Sequence, residues 1–181
     1  MIALVTGGAA SGKSAFAEGL ALSLAGPHWY VATMAAGGAE AARRIERHRR
    51  LRAGKGFRTV ETAGLVGADF ATGVRGGTAL VEDLGNLVST RLFLPDGSMA
   101  AAEGVLRSCE ANLASLAGRV RHMVLVGNQI GSDGVAYDEP TDLYLRLLGA
   151  LSCRLAARAD LVTEVACGLP NFVKGGPLER A

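Results

Sequence analysis

The residues best suited to chemistry stand near the start of the chain, in the run Gly7-Gly8-Ala9-Ala10-Ser11-Gly12-Lys13-Ser14. The spacing G-x-x-x-x-G-K-S suits a triphosphate. Glycines at 7, 8 and 12 let the backbone curl so that successive N–H groups point inward at phosphate oxygens. A helix opening directly after the loop presents its positive end to the same anion. Lys13 would reach the β- and γ-phosphates, and Ser14 would ligate Mg²⁺. Such a loop also needs an acidic residue at the end of a neighbouring strand to hold the hydrated ion. The run Thr78-Ala79-Leu80-Val81-Glu82-Asp83 supplies one, and alternation alone leaves Glu82 and Asp83 both open as the metal-side acid.

A second constellation is Arg43-Arg44-Ile45-Glu46-Arg47-His48-Arg49-Arg50-Leu51-Arg52. On a helix, Ile45, His48 and Arg52 share a face, and Glu46 can pair with Arg50 one turn on. A solvated basic helix is one reading of this stretch. The other is chemical. Six arginines disfavour the cationic imidazole, which would keep His48 neutral and nucleophilic near pH 7. The same guanidinium groups could hold a triphosphate and stabilise charge as a phosphoryl or nucleotidyl group transfers. His28 and His122 stand at expected strand starts without such neighbours and read as structural.

These groups must be positioned by an alternation of apolar strands and amphipathic helices. Strands are expected at Ile2–Thr6, Trp29–Thr33, Ala79–Glu82, Met123–Val126 and Leu161–Val165, with a weaker one at Arg58–Glu61. Most are unbroken apolar runs, the pattern of strands covered on both faces. Helices are expected at Ser14–Leu24 with a Phe16, Leu20, Leu24 stripe, at Ser98–Leu116 with Leu106, Cys109, Leu113 and Leu116, and at Thr141–Ala157 with Tyr144, Leu148, Leu151 and Leu155. Gly73–Gly77 and Leu94–Gly97 read as turns. The expectation is one α/β domain over residues 1–181, a mostly parallel sheet with helices on both faces.

Composition narrows the function classes. A net charge of +2 argues against a dedicated nucleic-acid binder, and the basic stretch lacks interleaved aromatics. Cys109, Cys153 and Cys167 are far apart with no CxxC pair, so they are expected to be buried apolar thiols rather than metal ligands. Glycine, at 25 of 181 residues against a usual ~7%, is abundant, as loops close to a ligand require. No apolar run reaches the ~18 residues of a membrane span, and Met1 to Val5 lacks a basic leader, so a cytoplasmic protein is expected.

Further motifs join these. Val5-Thr6-Gly7-Gly8 with Ser11-Gly12-Lys13-Ser14 and Ala17-Glu18 comes first, then Tyr30-Val31-Ala32-Thr33. Arg44-Ile45-Glu46-Arg47-His48 has the form R-I-x-x-H. Phe57-Arg58-Thr59-Val60-Glu61 follows, and near the end stand Ala156 to Asp160, Gly168-Leu169-Pro170 and Lys174-Gly175. Nearly end to end, this sequence resembles the bifunctional adenosylcobinamide kinase / adenosylcobinamide-phosphate guanylyltransferase family of cobalamin biosynthesis. It departs from the better-known members at Gln129, at Ser132 to Glu139, at Asp142 to Arg146 and at Ser152-Cys153.

The resemblance implies a RecA-like three-layer fold, often assembled as a trimer, with GTP or ATP and a corrinoid as substrates and Mg²⁺ as cofactor. It implies phosphorylation of the aminopropanol hydroxyl, then transfer of GMP from GTP through a guanylylated histidine. His48 matches that nucleophile. Gly7 to Ser14 match the phosphate loop. Thr33, Glu61 and Glu82 match residues at the nucleotide site, and Arg49, Arg50 and Arg52 would help bind the guanine nucleotide. Splitting one displacement into two through a nitrogen nucleophile gives each step a workable leaving group. A monofunctional kinase or guanylyltransferase on the same scaffold, and a nucleotide-binding regulatory module, are the alternatives.

Overall fold

The computed structural model describes residues 1–34, 43, 46, 50, 54–62, 70–131 and 134–177. Seven strands form one sheet: β1 (Ile2–Thr6), β2 (His28–Ala32), β3 (Phe57–Glu61), β4 (Thr78–Glu82), β5 (His122–Val126), β6 (Leu161–Ala166) and β7 (Leu169–Lys174). Their spatial order is β3-β2-β4-β5-β1-β6-β7. All pairings are parallel except that of β7, which returns antiparallel along β6. The helices with described bounds are α1 (Lys13–Ser23), α2 (Leu84–Leu92), α3 (Ala102–Ala117) and α4 (Glu139–Arg158).

The two-residue period of the strands divides the core. In β1, Ala3 and Val5 face α1 while Leu4 faces the other three helices. In β4 and β5 the same split places Leu80, Val124 and Val126 on the α1 side, and Ala79, Val81, Met123 and Leu125 on the opposite side. Burying both faces explains why these strands read as continuous apolar runs. The result is the expected three-layer α/β architecture. Among the described residues no helix is long and apolar enough to cross a membrane.

Several expectations need correction. The buried side of α1 is Ala17 and Ala21, while Phe16, Leu20 and Leu24 lie at its half-buried flank. Small side chains let this helix lie close over the sheet. The second expected helix starts at Ala102 rather than Ser98, because Met99 bridges back to Phe93. The helix expected from Thr141 begins at Glu139, with Pro140 in its first turn, where a missing N–H costs nothing. Of the cysteines only Cys109 is buried, and Cys153 and Cys167 are exposed.

Candidate active site

The loop between β1 and α1 closes over the C-terminal edge of the sheet. Gly12, at φ 91°, opens α1 and offers no side chain to cap it, and the first turn of α1 carries no acidic residue. By contrast α2 and α4 begin with Asp83 and Asp138, whose carboxylates accept from Asn86 N at 2.7 Å and Thr141 N at 3.1 Å. The amino end of α1 therefore keeps its partial positive charge for an anion.

Two of the loop glycines are explained by close approach to β6 and the turn that follows it. A methyl group on Gly7 would lie 2.5 Å from the Val165 carbonyl oxygen, and one on Gly12 would lie 3.1 Å from Gly168 Cα. Gly168 N donates to Ser11 O at 2.8 Å, so the turn after β6 is fastened to the loop. A methyl group on Gly8 would meet nothing within 4 Å, so packing does not demand glycine there. Ala10, unexpectedly, takes the left-handed conformation at φ 55°. Ala9 and the buried Ser11 hydroxyl complete the loop, and that hydroxyl has no hydrogen-bond partner among the described residues. Lys13 Nζ bends back to donate to Gly8 O at 2.9 Å.

Glu82 is the acid that lies against the start of α1. β5 lies between β1 and β4, so the two strand ends are two strand spacings apart, about 9–10 Å. Helix α1 spans that gap by crossing β5 and β4, and its first-turn Ser14 donates to Glu82 Oε1 at 2.7 Å. The Tyr30 hydroxyl donates to Glu82 Oε2 from the neighbouring strand. Asp83 instead caps α2, so of the two acids it is Glu82 that meets the first turn of α1. Burial pushes the Asp83 carboxyl above its usual value of 3.8, against the lowering effect of hydrogen bonds from Asn86 and Asn128. A methyl group on Gly85 would lie 2.8 Å from the Tyr144 hydroxyl and 3.2 Å from both Asn128 Nδ2 and Asp83 Oδ1. This glycine lets the three polar groups converge. Burial, then the charge of Asp83, raises the Tyr144 phenol as well.

Thr33 follows β2 and donates its hydroxyl to Asp83 O at 2.8 Å, so it braces the acidic strand end. Glu61 ends β3, with its register partner Ala32 also opposite Glu82, so the two carboxylates flank one residue at the same sheet edge. Arg50 is helical and exposed, and it pairs with Glu46 at 3.1 Å as expected. His48, Arg49 and Arg52 lie outside the described residues. Lys55, just beyond that stretch, forms a 2.5 Å ion pair with Glu18 of α1.

The residues missed from sequence are Tyr30, Asn128 and Tyr144. In the sequence Tyr30 stands within the Tyr30-Val31-Ala32-Thr33 motif with no chemical role of its own. Its signal was positional, two residues before the strand end and level with the Leu80 of β4. The arrangement as a whole can hold the tail of a triphosphate. The backbone cradle and the Lys13 ammonium would suit phosphate oxygens, and the oxygen pair at Ser14 and Glu82 would suit a hard divalent cation, which takes oxygen ligands.

Comparison with known proteins adds the acceptor. Residues 3–173 match the model of the CobU family, cobinamide kinase / cobinamide phosphate guanyltransferase. The bifunctional adenosylcobalamin biosynthesis protein CobP of Pseudomonas aeruginosa is 35% identical over 175 residues, covering 97% of this chain and 98% of that one. Among solved structures, the flagellar accessory protein FlaH from Methanocaldococcus jannaschii aligns with a TM-score of 0.44 at 9% identity, over 99% of this chain and 82% of that one.

Proposed function

The chain belongs to the cobinamide kinase / cobinamide phosphate guanyltransferase family, and from that premise we propose that it carries out both transfers on adenosylcobinamide. A nucleoside triphosphate, GTP or ATP, phosphorylates the aminopropanol hydroxyl. GTP then yields GMP to the new phosphate, giving adenosylcobinamide-GDP and pyrophosphate. The observation that carries the nucleotide half is the uncapped amino end of α1, with Lys13 at the loop and Ser14 bonded to Glu82 beneath it.

In the kinase step the acceptor oxygen bonds to the γ-phosphorus while the bridging P–O bond breaks. The nucleoside diphosphate leaves with that electron pair, and the hydroxyl proton passes to water. Residues 7 to 14 supply amides to the phosphate oxygens, and Lys13 releases Gly8 O to neutralise the charge that develops. Ser14 and Glu82 would hold Mg²⁺, which when bound offsets the charge on the phosphates. Tyr30 fixes the Glu82 carboxylate in place for that task.

In the guanylyl step an unprotonated nitrogen of His48 attacks the α-phosphorus of GTP and pyrophosphate leaves. A phosphate oxygen of the acceptor then attacks the same phosphorus and restores the free imidazole. Arg49, Arg50 and Arg52 supply positive charge to the triphosphate, with Thr33 and Glu61 at the nucleotide-facing sheet edge. We place one such site in a single domain over residues 1–181, in a cytoplasmic homo-oligomer, a trimer by resemblance.

Incubation with α-labelled GTP tests the covalent step. An acid-labile, alkali-stable adduct should map to the peptide containing His48 and vanish in His48→Ala. Absence of any adduct across metals and pH, or its persistence in the variant, contradicts the proposal.

A further inference from the structure

On the α4 side of the phosphate loop, the C-terminal ends of β1, β5 and β6 open into a cleft of about 620 Å³. That is within the ~300–1,000 Å³ typical of small-molecule sites. The cleft is continuous with the loop. Thr6 lines it immediately before Gly7, and Gln129 N donates to Gly7 O at 3.1 Å. At its other end Asn128 both lines the cleft and hydrogen bonds to Asp83.

The walls are mixed in character. Ile130, 50% exposed, and Leu145 offer apolar surface, while Gln129 and Glu164, paired at 2.9 Å, offer amide and carboxylate groups. Gly149 of α4 lowers one wall. Glycine inside a helix is unfavourable relative to alanine, and packing does not require it here, because a methyl group would meet nothing within 4 Å.

We infer that this cleft docks the corrinoid acceptor, with the macrocycle over its mouth and the hydroxyl-bearing arm directed past Thr6 toward Lys13. The inference rests on the proposed function and names the acceptor's place within it. A corrinoid carries methyl groups and primary carboxamides around its rim. The methyl groups match Ile130 and Leu145, and the carboxamides match Gln129 and Glu164. Helices α1 and α4 lie on opposite faces of the sheet. A donor cradled at the amino end of α1 thus leaves the α4 side of the loop open to an acceptor.

Cys153 lines the cleft and is exposed, whereas Cys167 is exposed elsewhere, so the parent protein carries its own reporter and control. Alkylation by iodoacetamide, followed peptide by peptide, should slow at least fivefold at Cys153 when adenosylcobinamide is added, with Cys167 unchanged. In Gly149→Leu, the KM for adenosylcobinamide should rise at least tenfold, with GTP affinity unaltered. Equal Cys153 labelling with and without the corrinoid overturns the inference, as does protection by GTP alone. If the parent turns over adenosylcobinamide without protecting Cys153, the cleft assignment fails and the proposed function stands. If Cys153 is protected but no product forms, the docking site stands and the proposed function fails. Should Gly149→Leu fail to fold, labelling of the parent decides.

Discussion

At the residue scale, the site turns on how one carboxylate is held. Glu82 has each oxygen engaged, Oε1 by Ser14 and Oε2 by Tyr30. Replacing Glu82 by Gln keeps the shape and removes the charge. Phosphorylation should fall by about 10²-fold or more, the size of losing a preorganised electrostatic group. Tyr30→Phe leaves the charge and removes one hydrogen bond to it, so the loss should be about tenfold. A Mg²⁺ titration at saturating GTP checks both, and the ion requirement should rise in both variants. Equal activity of Glu82→Gln and the parent would remove Glu82 from the site. The phosphate loop was legible in the sequence because its chemistry demands fixed types at fixed spacing, and an acid at the end of the neighbouring strand was expected, with Glu82 and Asp83 both left open. Tyr30 was not, because an aromatic in an apolar strand has the same pattern whether its hydroxyl is used or idle.

At the element scale, what matters is which helix ends are capped. Asp83 closes the amino end of α2, and Gly12 leaves that of α1 open. Asp83 is also a buried acid whose carboxyl is raised above 3.8. The folded chain thus keeps its proton at pH values where the unfolded chain has released it. Stability from this group is greatest at or below pH 3.8, falls as pH rises to the raised value, and is level above it. Asp83→Asn retains a capping oxygen and should abolish that fall, whereas Asp83→Ala, equally without the titrating group, should lie about 1 kcal/mol below Asp83→Asn throughout. Urea midpoints between pH 4 and pH 8 check this, and parallel curves for the parent and Asp83→Asn would contradict it. Two elements escaped the sequence reading for related reasons. The run Leu84 to Leu92 carries Val88 and Thr90 and follows a strand without a break, so its helical period was masked by burial on several sides. Strand β7 contains Pro170, which argues against a strand, yet it is tolerated here at the sheet edge.

At the scale of the whole molecule, one edge of one sheet gathers the chemistry. The carboxyl ends of β1, β2, β3, β4, β5 and β6 deliver the phosphate loop, Thr33, Glu61, Glu82, Asn128 and the Cys167-Gly168 turn in that order. Ligands of open α/β sheets bind outside these ends. The order β4-β5-β1 places the acidic strand two positions from the loop strand, and α1 closes the distance. Parallel strands and alternating helices were readable from apolar runs, since those runs record burial on both faces. The strand order was not, because it is set by crossovers between residues far apart in sequence. We propose that one phosphate cradle serves two transfers, with His48 needed for the second alone. Mass analysis of the products of adenosylcobinamide, GTP and Mg²⁺ tests it most directly. The parent should form the phosphorylated corrinoid and then its GMP conjugate, while His48→Asn should stop at the phosphorylated species. A parent that never forms the conjugate, or a His48→Asn protein that still does, would contradict it.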